Sequence, residues 1–386
     1  MYSDTDKLIK ILLELLPKNQ NIPLHEPFFG GNEEKYVLDC IRTGWVSSVG
    51  SYVDAFENKI SDFVKCRFAV STVNGTSALH LALKTLGINA NEEILLPSLT
   101  FIATANAVSY CGGIPHFVDI ESTTFGVDSK KLEIYLNDIV NYKNGFSYNK
   151  FTNRKITCII VMHCFGMPSK DIEEIQEICK KFNLFLVEDA AEALGSYHSG
   201  THTGNFSDIG IFSFNGNKII TTGGGGMLVT NNDIYAKRAR HLATTGKEKN
   251  YYKPVHDTIA YNYRMPNINA ALGLAQIEQI ADFIVKKRTL AEIFKNIINF
   301  KGIKILMEPL GIKSNYWLNS LIFDDSNTCI EVLEKTNNEG INTRLVWEPL
   351  HQSKPYKNNC VKMDLETTES YSKKILNIPS SSNLLK

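Results

Sequence analysis

The 386-residue sequence predicts an α/β protein with a mainly parallel sheet, followed by a smaller C-terminal domain in which helices dominate. From about residue 66 to 230, short apolar β-branched runs alternate with segments of helical spacing, the pattern of successive βαβ units. Beyond residue 230 the glycine-rich turns thin out and helical periodicity takes over. Composition agrees, since 43% hydrophobic and 21% charged residues are ordinary for a globular chain with room for two domains.

The opening MYSDTDKLIKILLELLPKNQ places apolar residues at Leu8, Ile9, Ile11, Leu12, Leu13, Leu15 and Leu16, interrupted by acids and lysines. It is too short and too charged for a signal peptide or membrane span, and reads as an amphipathic docking helix that ends at Pro17, an arm over residues 1–21. A large domain then extends over 22–280. Its strands are expected at 67–73, 93–97, 114–119, 157–162, 184–189, 209–214 and 227–231, with helices at 76–86, 104–110 and 170–182 between them. The polar stretch 137–155 reads as a surface excursion, and NAALGLAQIEQIADFIVKKR, 269–288, as one long helix. A small domain, 281–386, carries a strand at 320–325.

Forty-one basic residues balance 41 acidic ones, so no global field points to nucleic acid or an anionic membrane as partner, and a small molecule is the expected ligand. Eight cysteines are scattered without a CxxC pair, which suggests reduced structural thiols in a cytoplasmic protein and no zinc site.

In parallel sheets ligands bind beyond the carboxyl ends of the strands, and three groups are placed there. Asn74-Gly75-Thr76-Ser77 joins a strand to a helix, where free amides and hydroxyls suit a phosphate; the same residues equally make a good helix cap. Glu188-Asp189 closes an apolar strand, and a carboxylate buried there needs a cation or strong donors. Lys218 follows another strand and precedes Ile219-Ile220, so burial would demand a partner or a covalent task. Together they suit pyridoxal phosphate (PLP), with Lys218 as Schiff-base lysine, Asp189 on the pyridine nitrogen and residues 74–77 at the phosphate. The run Gly223–Gly226 is not a phosphate-binding P-loop, because the lysine precedes the glycines. It reads as a tight turn beside cofactor or partner subunit.

The segments NGTSALHLAL, LPSLTFIATANAVSYCGGIPHFVDI, VEDAAEALGSYHSGTHTGNFSDIGIFSFNGNKIITTGGGG and IAYNYRMPNINAALGLAQIEQI resemble, in this order, the DegT/DnrJ/EryC1/StrS sugar aminotransferases. The resemblance implies a fold-type-I PLP enzyme: a three-layer αβα large domain, a small C-terminal α+β domain, and a homodimer with its active sites at the interface. It implies Lys218 and Asp189 as catalytic residues, Phe101 stacked on the cofactor ring, and Gly75, Thr76, Ser77 and Ser213 at the phosphate. Asn262 would reach the phosphate from the neighbouring subunit, and Arg264 would bind the carboxylate of glutamate or 2-oxoglutarate, against the alternative of a structural ion pair.

Two departures stand out. Glu192 replaces the usual Gln or His three residues after the aspartate, where it would meet the cofactor's 3′ oxygen, and the usual Thr-Gly-Glu-Gly-Gly reads Thr222-Gly223-Gly224-Gly225-Gly226. Both resemble the branch that aminates C4 of UDP-linked 4-keto-6-deoxy-N-acetylhexosamines towards legionaminic acid or bacillosamine. A dTDP- or GDP-linked keto sugar and a non-catalytic PLP-fold sensor are the alternatives. His25, Trp45, His163 and His351 are candidates for the sugar site, each weighed against a scaffold role.

Overall fold

The computed structural model describes residues 4–17, 21–248, 252–358 and 360–384. Across the central sheet the strands run Phe68–Thr72, Gly226–Thr230, Ile209–Ser213, Phe185–Asp189, Lys155–Met162, Glu93–Pro97 and Ile114–Val118. The 226–230 strand is antiparallel to both neighbours and the other pairings among these seven are parallel. The carboxyl ends of six strands therefore open on one edge.

Strand alternation sorts the core into two faces. Val70, Ile209, Ile211 and Leu228 face one cluster with helices Gly75–Leu86, Ile102–Tyr110, Ser129–Ile139 and Ile172–Phe182. Ala69, Phe212, Met227 and Val229 face the other, with Phe56 and Ile60 of Ser51–Val64 and Ala270 of Asn267–Ile277. The result is a three-layer αβα large domain.

A second, four-stranded antiparallel sheet runs Ile303–Ile305, Asn319–Phe323, Ile375–Ile378 and Arg344–Leu345. The N-terminal helix Asp4–Leu15 belongs with it: Leu8 and Leu12 pack with Leu290, Phe294, Leu321 and Leu376, and Lys335 pairs with Asp6 at 2.7 Å.

Two expectations need correction. Residues 137–155 are not a bare excursion, because Val140–Lys143 and Phe146–Asn149 form a hairpin that pairs antiparallel with the 155–162 strand. The long helix is two, Asn267–Ile277 and Ile280–Ile297, bent by 58°. The polar residues at the break explain it: Gln276 and Gln279 both donate to Glu33 Oε1 (2.6 and 2.7 Å), and Glu278 accepts from Asn32 and Tyr36. Apolar spacing runs on across the bend, so periodicity does not reveal it. Among the described residues no single helix is long and apolar enough to cross a membrane.

Candidate active site

Asp189 and Lys218 meet at the carboxyl edge of the sheet, in a cleft of about 310 Å³ that Trp317, Arg344 and Trp347 also line. Because side chains alternate along a strand, the adjacent carboxylates of the 185–189 strand part company. Asp189 turns into the cleft, whereas Glu188 turns into the large domain. Glu188 accepts from Gly204 N (2.7 Å), Phe206 N (2.9 Å), Ser207 Oγ (2.8 Å) and His163 Nε2 (3.0 Å). Burial pushes its pKa up, but these donors and the His163 ring outweigh it and hold the carboxyl below its ordinary value.

Asp189 is poorer in donors. Thr104 Oγ1 donates at 2.8 Å and Ala191 N at 3.3 Å, and burial holds the carboxyl above its ordinary pKa against both. A buried carboxylate with so little compensation is built to meet a cationic N–H. A pyridinium nitrogen supplies one.

Lys218 Nζ lies 3.3 Å from Glu192 Oε1 and 4.0 Å from the centre of the Trp317 ring, with its side chain 13% exposed. Trp317 is fixed in turn by Nε1 donating to the Asn217 carbonyl at 2.7 Å. Glu192 has the cationic neighbour that its burial requires, and Phe165 N donates to its other oxygen at 2.8 Å. Its pKa is still pushed up by burial, only partly offset by Lys218.

The expected phosphate end is a close approach of two elements. Asn74 caps helix 75–86 by accepting from Ser77 N at 2.8 Å, and a Cβ on Gly75 would lie 2.9 Å from the Ser213 Cβ. Gly75, Thr76 and Ser213 all line the cleft. The glycine run supports this junction: a Cβ on Gly226 would stand 2.5 Å from the Asn74 carbonyl oxygen, and one on Gly225 2.2 Å from Thr222 Oγ1. Gly223 has φ +76°, while the nearest atom to a Cβ on Gly224 is 3.8 Å away.

Of the expected site residues, Gly75, Thr76, Phe101, Asp189, Glu192, Ser213 and Lys218 are brought together in this cleft. Ser77 is buried behind it in the helix cap. Asn262 and Arg264 are outside it: Arg264 Nη2 donates to Asn262 Oδ1 at 2.9 Å, and Arg264 lines a separate depression beside Arg240 and Thr244. Trp45 is also outside and 58% exposed.

Hydrogen bonding supports the scaffold alternative for His163 and His351 and leaves His25 open. His163 is fully buried, its Nδ1 accepting from Ser169 N at 3.0 Å and its Nε2 donating to Glu188, so it serves the scaffold. His351 is held between Ser98 Oγ (2.7 Å) and Glu369 Oε1 (3.0 Å), with no nitrogen left for a ligand. His25 is half-buried with Nδ1 unpartnered, and burial, Lys287 and Lys218 hold its pKa well below the ordinary value. Sequence reading missed Thr104, Trp317, Arg344 and Trp347. Thr104 acts from behind Asp189, and Trp317, Arg344 and Trp347 reach the cleft only through tertiary packing.

This constellation of a strand-end aspartate, a buried lysine and a glycine-fitted helix N-terminus defines a fold-type-I PLP enzyme. The chain belongs to the DegT/DnrJ/EryC1/StrS aminotransferase family, whose model matches residues 29–386. It is therefore a PLP-dependent aminotransferase. It is 40% identical over 337 residues, 87% of each chain, to the GDP-perosamine synthase of Escherichia coli O157:H7. To the GDP-perosamine synthase of Vibrio cholerae it is 36% identical over 363 residues, 93% of this chain and 94% of the other. Among solved structures it is similar to Helicobacter pylori PseC, an aminotransferase involved in pseudoaminic acid biosynthesis, with TM-score 0.84 and 25% identity over 94% of this chain and 95% of that one.

Proposed function

We propose that this enzyme transfers the amino group of glutamate to C4 of a nucleotide-linked 4-keto-6-deoxy sugar, in two half-reactions that share one cleft, and that the nucleotide is GDP. The observation that carries the transfer reading is Lys218 Nζ, buried between Glu192 and the Trp317 ring in the cleft that also holds Asp189. When bound there, PLP supplies an electron sink for the carbon that loses its proton. Lys218 would hold the cofactor covalently and carry that proton, and Asp189 would keep the ring nitrogen protonated. Gly75, Thr76 and Ser213 would hold the phosphate, Phe101 would cover the ring, and Glu192 would face its 3′ oxygen. Asn262 and Arg264, on a separate face of the same chain, would act at the partner's cleft in a homodimer.

The nucleotide is argued from relatedness. The UDP expectation rests on a branch resemblance in Glu192, the four glycines and the stretches IPLHEPFFGGNEEKY and TGWVSSVG, yet Glu192 is engaged by Lys218 and Phe165, and a Cβ on Gly224 would meet no atom nearer than 3.8 Å. Relatives named for making GDP-perosamine match 34–40% over most of the chain, and they tip the choice to GDP. Incubation with glutamate and matched GDP-, UDP- and dTDP-linked 4-keto sugars, with products read by NMR, tests both parts. A GDP-linked 4-amino sugar is expected. Preference for the UDP sugar overturns the nucleotide assignment, and no amination of any keto sugar overturns the function.

A further inference from the structure

We infer that Thr104 is a positioning residue for the reaction: it fixes the plane of the Asp189 carboxylate for the cofactor's ring nitrogen, and Thr100 fixes Thr104 in turn; this rests on the reading of Asp189 as the ring's partner. Thr104 stands in the first turn of the helix Ile102–Tyr110. Its neighbours Phe101 and Ala103 line the cleft, whereas Thr104 is fully buried behind it. A hydroxyl inside a helix can turn back on the carbonyl four residues earlier, as Ser109 does to Ala105 at 3.1 Å in this same helix. Thr104 instead donates to Asp189 Oδ2 at 2.8 Å, on a strand 85 residues away in sequence.

Counting protons gives the direction of the chain of hydroxyls. The Thr104 hydroxyl has one hydrogen, and Asp189 takes it, because an ionised carboxylate only accepts. Thr100 Oγ1, fully buried and 3.1 Å from Thr104 Oγ1, is therefore the donor of that pair. Thr100 orients Thr104, and Thr104 holds Oδ2. Oδ1 keeps one long contact, from Ala191 N at 3.3 Å, which leaves it capacity for a ring N–H. A carboxylate without such support would be free to turn about its own bond, and a group that must meet a ring in one plane cannot be. Burial pushes the Asp189 pKa up, and the Thr104 donor is the strongest of the influences that oppose it, ahead of Ala191, Lys218 and His163. The same turn carries Phe101, expected over the ring, so one loop–helix junction sets both the cover of the ring and the aim of the carboxylate.

The test compares two ligands of the cofactor-free enzyme: PLP, and its analogue with C–H in place of the ring nitrogen. Both carry the aldehyde and the phosphate, so the ratio of their dissociation constants reports on the ring position alone, and neither amino donor nor sugar takes part. The wild type should prefer PLP, and Asp189→Ala should remove that preference. Thr104→Val keeps the shape and removes the hydroxyl, and should shrink the preference about tenfold. Thr104→Ser should restore it, and Thr100→Val should shrink it less, because Thr104 keeps its own bond to Asp189. A role in packing alone would weaken both ligands alike and leave the ratio where it was. A ratio unchanged in Thr104→Val, or Thr104→Ser as poor as Thr104→Val, overturns the assignment. Equal binding of the two ligands by the wild type overturns instead the reading of Asp189 on which it rests.

Discussion

The cleft has two walls of different construction. On the strand-end wall the charged groups and the helix cap have fixed partners: Asp189 with Thr104, Glu192 with Lys218 and Phe165, Ser77 with Asn74. Elsewhere the cleft is lined by Trp347 and by Arg344, whose guanidinium has no partner among the described residues, beside Trp317, which Asn217 fixes. The first is preorganised to hold one cofactor. The second leaves its binding groups open for substrates that come and go. Substitutions on the first should therefore abolish chemistry, and those on the second should alter recognition or stability.

The sharpest break in that contrast comes from Lys218→Ala, which should lower turnover by about 10⁴-fold without unfolding the protein, because general acid–base transfer at the cofactor is lost. Steady-state rates beside a thermal melt check it. Next comes the pair of adjacent carboxylates. Asp189→Asn should lose about a hundredfold or more in kcat with little change in Tm. Glu188→Gln should instead lower stability by about 3 kcal/mol, since it breaks a buried network. The pH sign follows: Glu188 is held below its ordinary pKa, so its stabilisation is present above the unfolded value of about 4.3 and lost as pH falls. Acid denaturation of Glu188→Gln should show a shallower limb than wild type.

A smaller effect is expected behind the second wall. Lys287 is 1% exposed and donates to the carbonyls of Trp317 (3.0 Å) and Ser380, which ties the Trp317 segment to the C-terminal segment. Lys287→Met should cost about 1–3 kcal/mol by leaving these acceptors unpaired, measured by urea unfolding. The smallest is Gly224→Ala, within about 0.5 kcal/mol of wild type, because the nearest atom is 3.8 Å from the new Cβ. Gly226→Ala should be markedly worse, because its Cβ would stand 2.5 Å from the Asn74 carbonyl and press on the phosphate turn.

Legibility followed the same division. The strand-end wall could be read because its chemistry is written where apolar runs stop: Asn74 after one strand, Asp189 at the end of another, Lys218 shortly after a third. Most expected strands lie within one or two residues of the observed ones for the same reason. The second wall could not, because Arg344 sits on a two-residue strand and Trp317 in the loop before Asn319–Phe323, and neither sequence says which domain face it meets. The histidines stayed open for the opposite reason. His163 stands at a strand end, as a site residue would, but only the fold shows its nitrogens already taken by Ser169 and Glu188. Glu33, which anchors the break between the two helices, comes from over 230 residues away in sequence.

The central claim is that Lys218 is the residue to which the cofactor is joined. Borohydride reduction of the PLP-loaded protein, followed by peptide mapping, tests it most directly. The account predicts the reduced cofactor on the peptide containing Lys218, and retention lost in Lys218→Ala; modification of another lysine, Lys287 included, or no retained cofactor in the wild type, would contradict it.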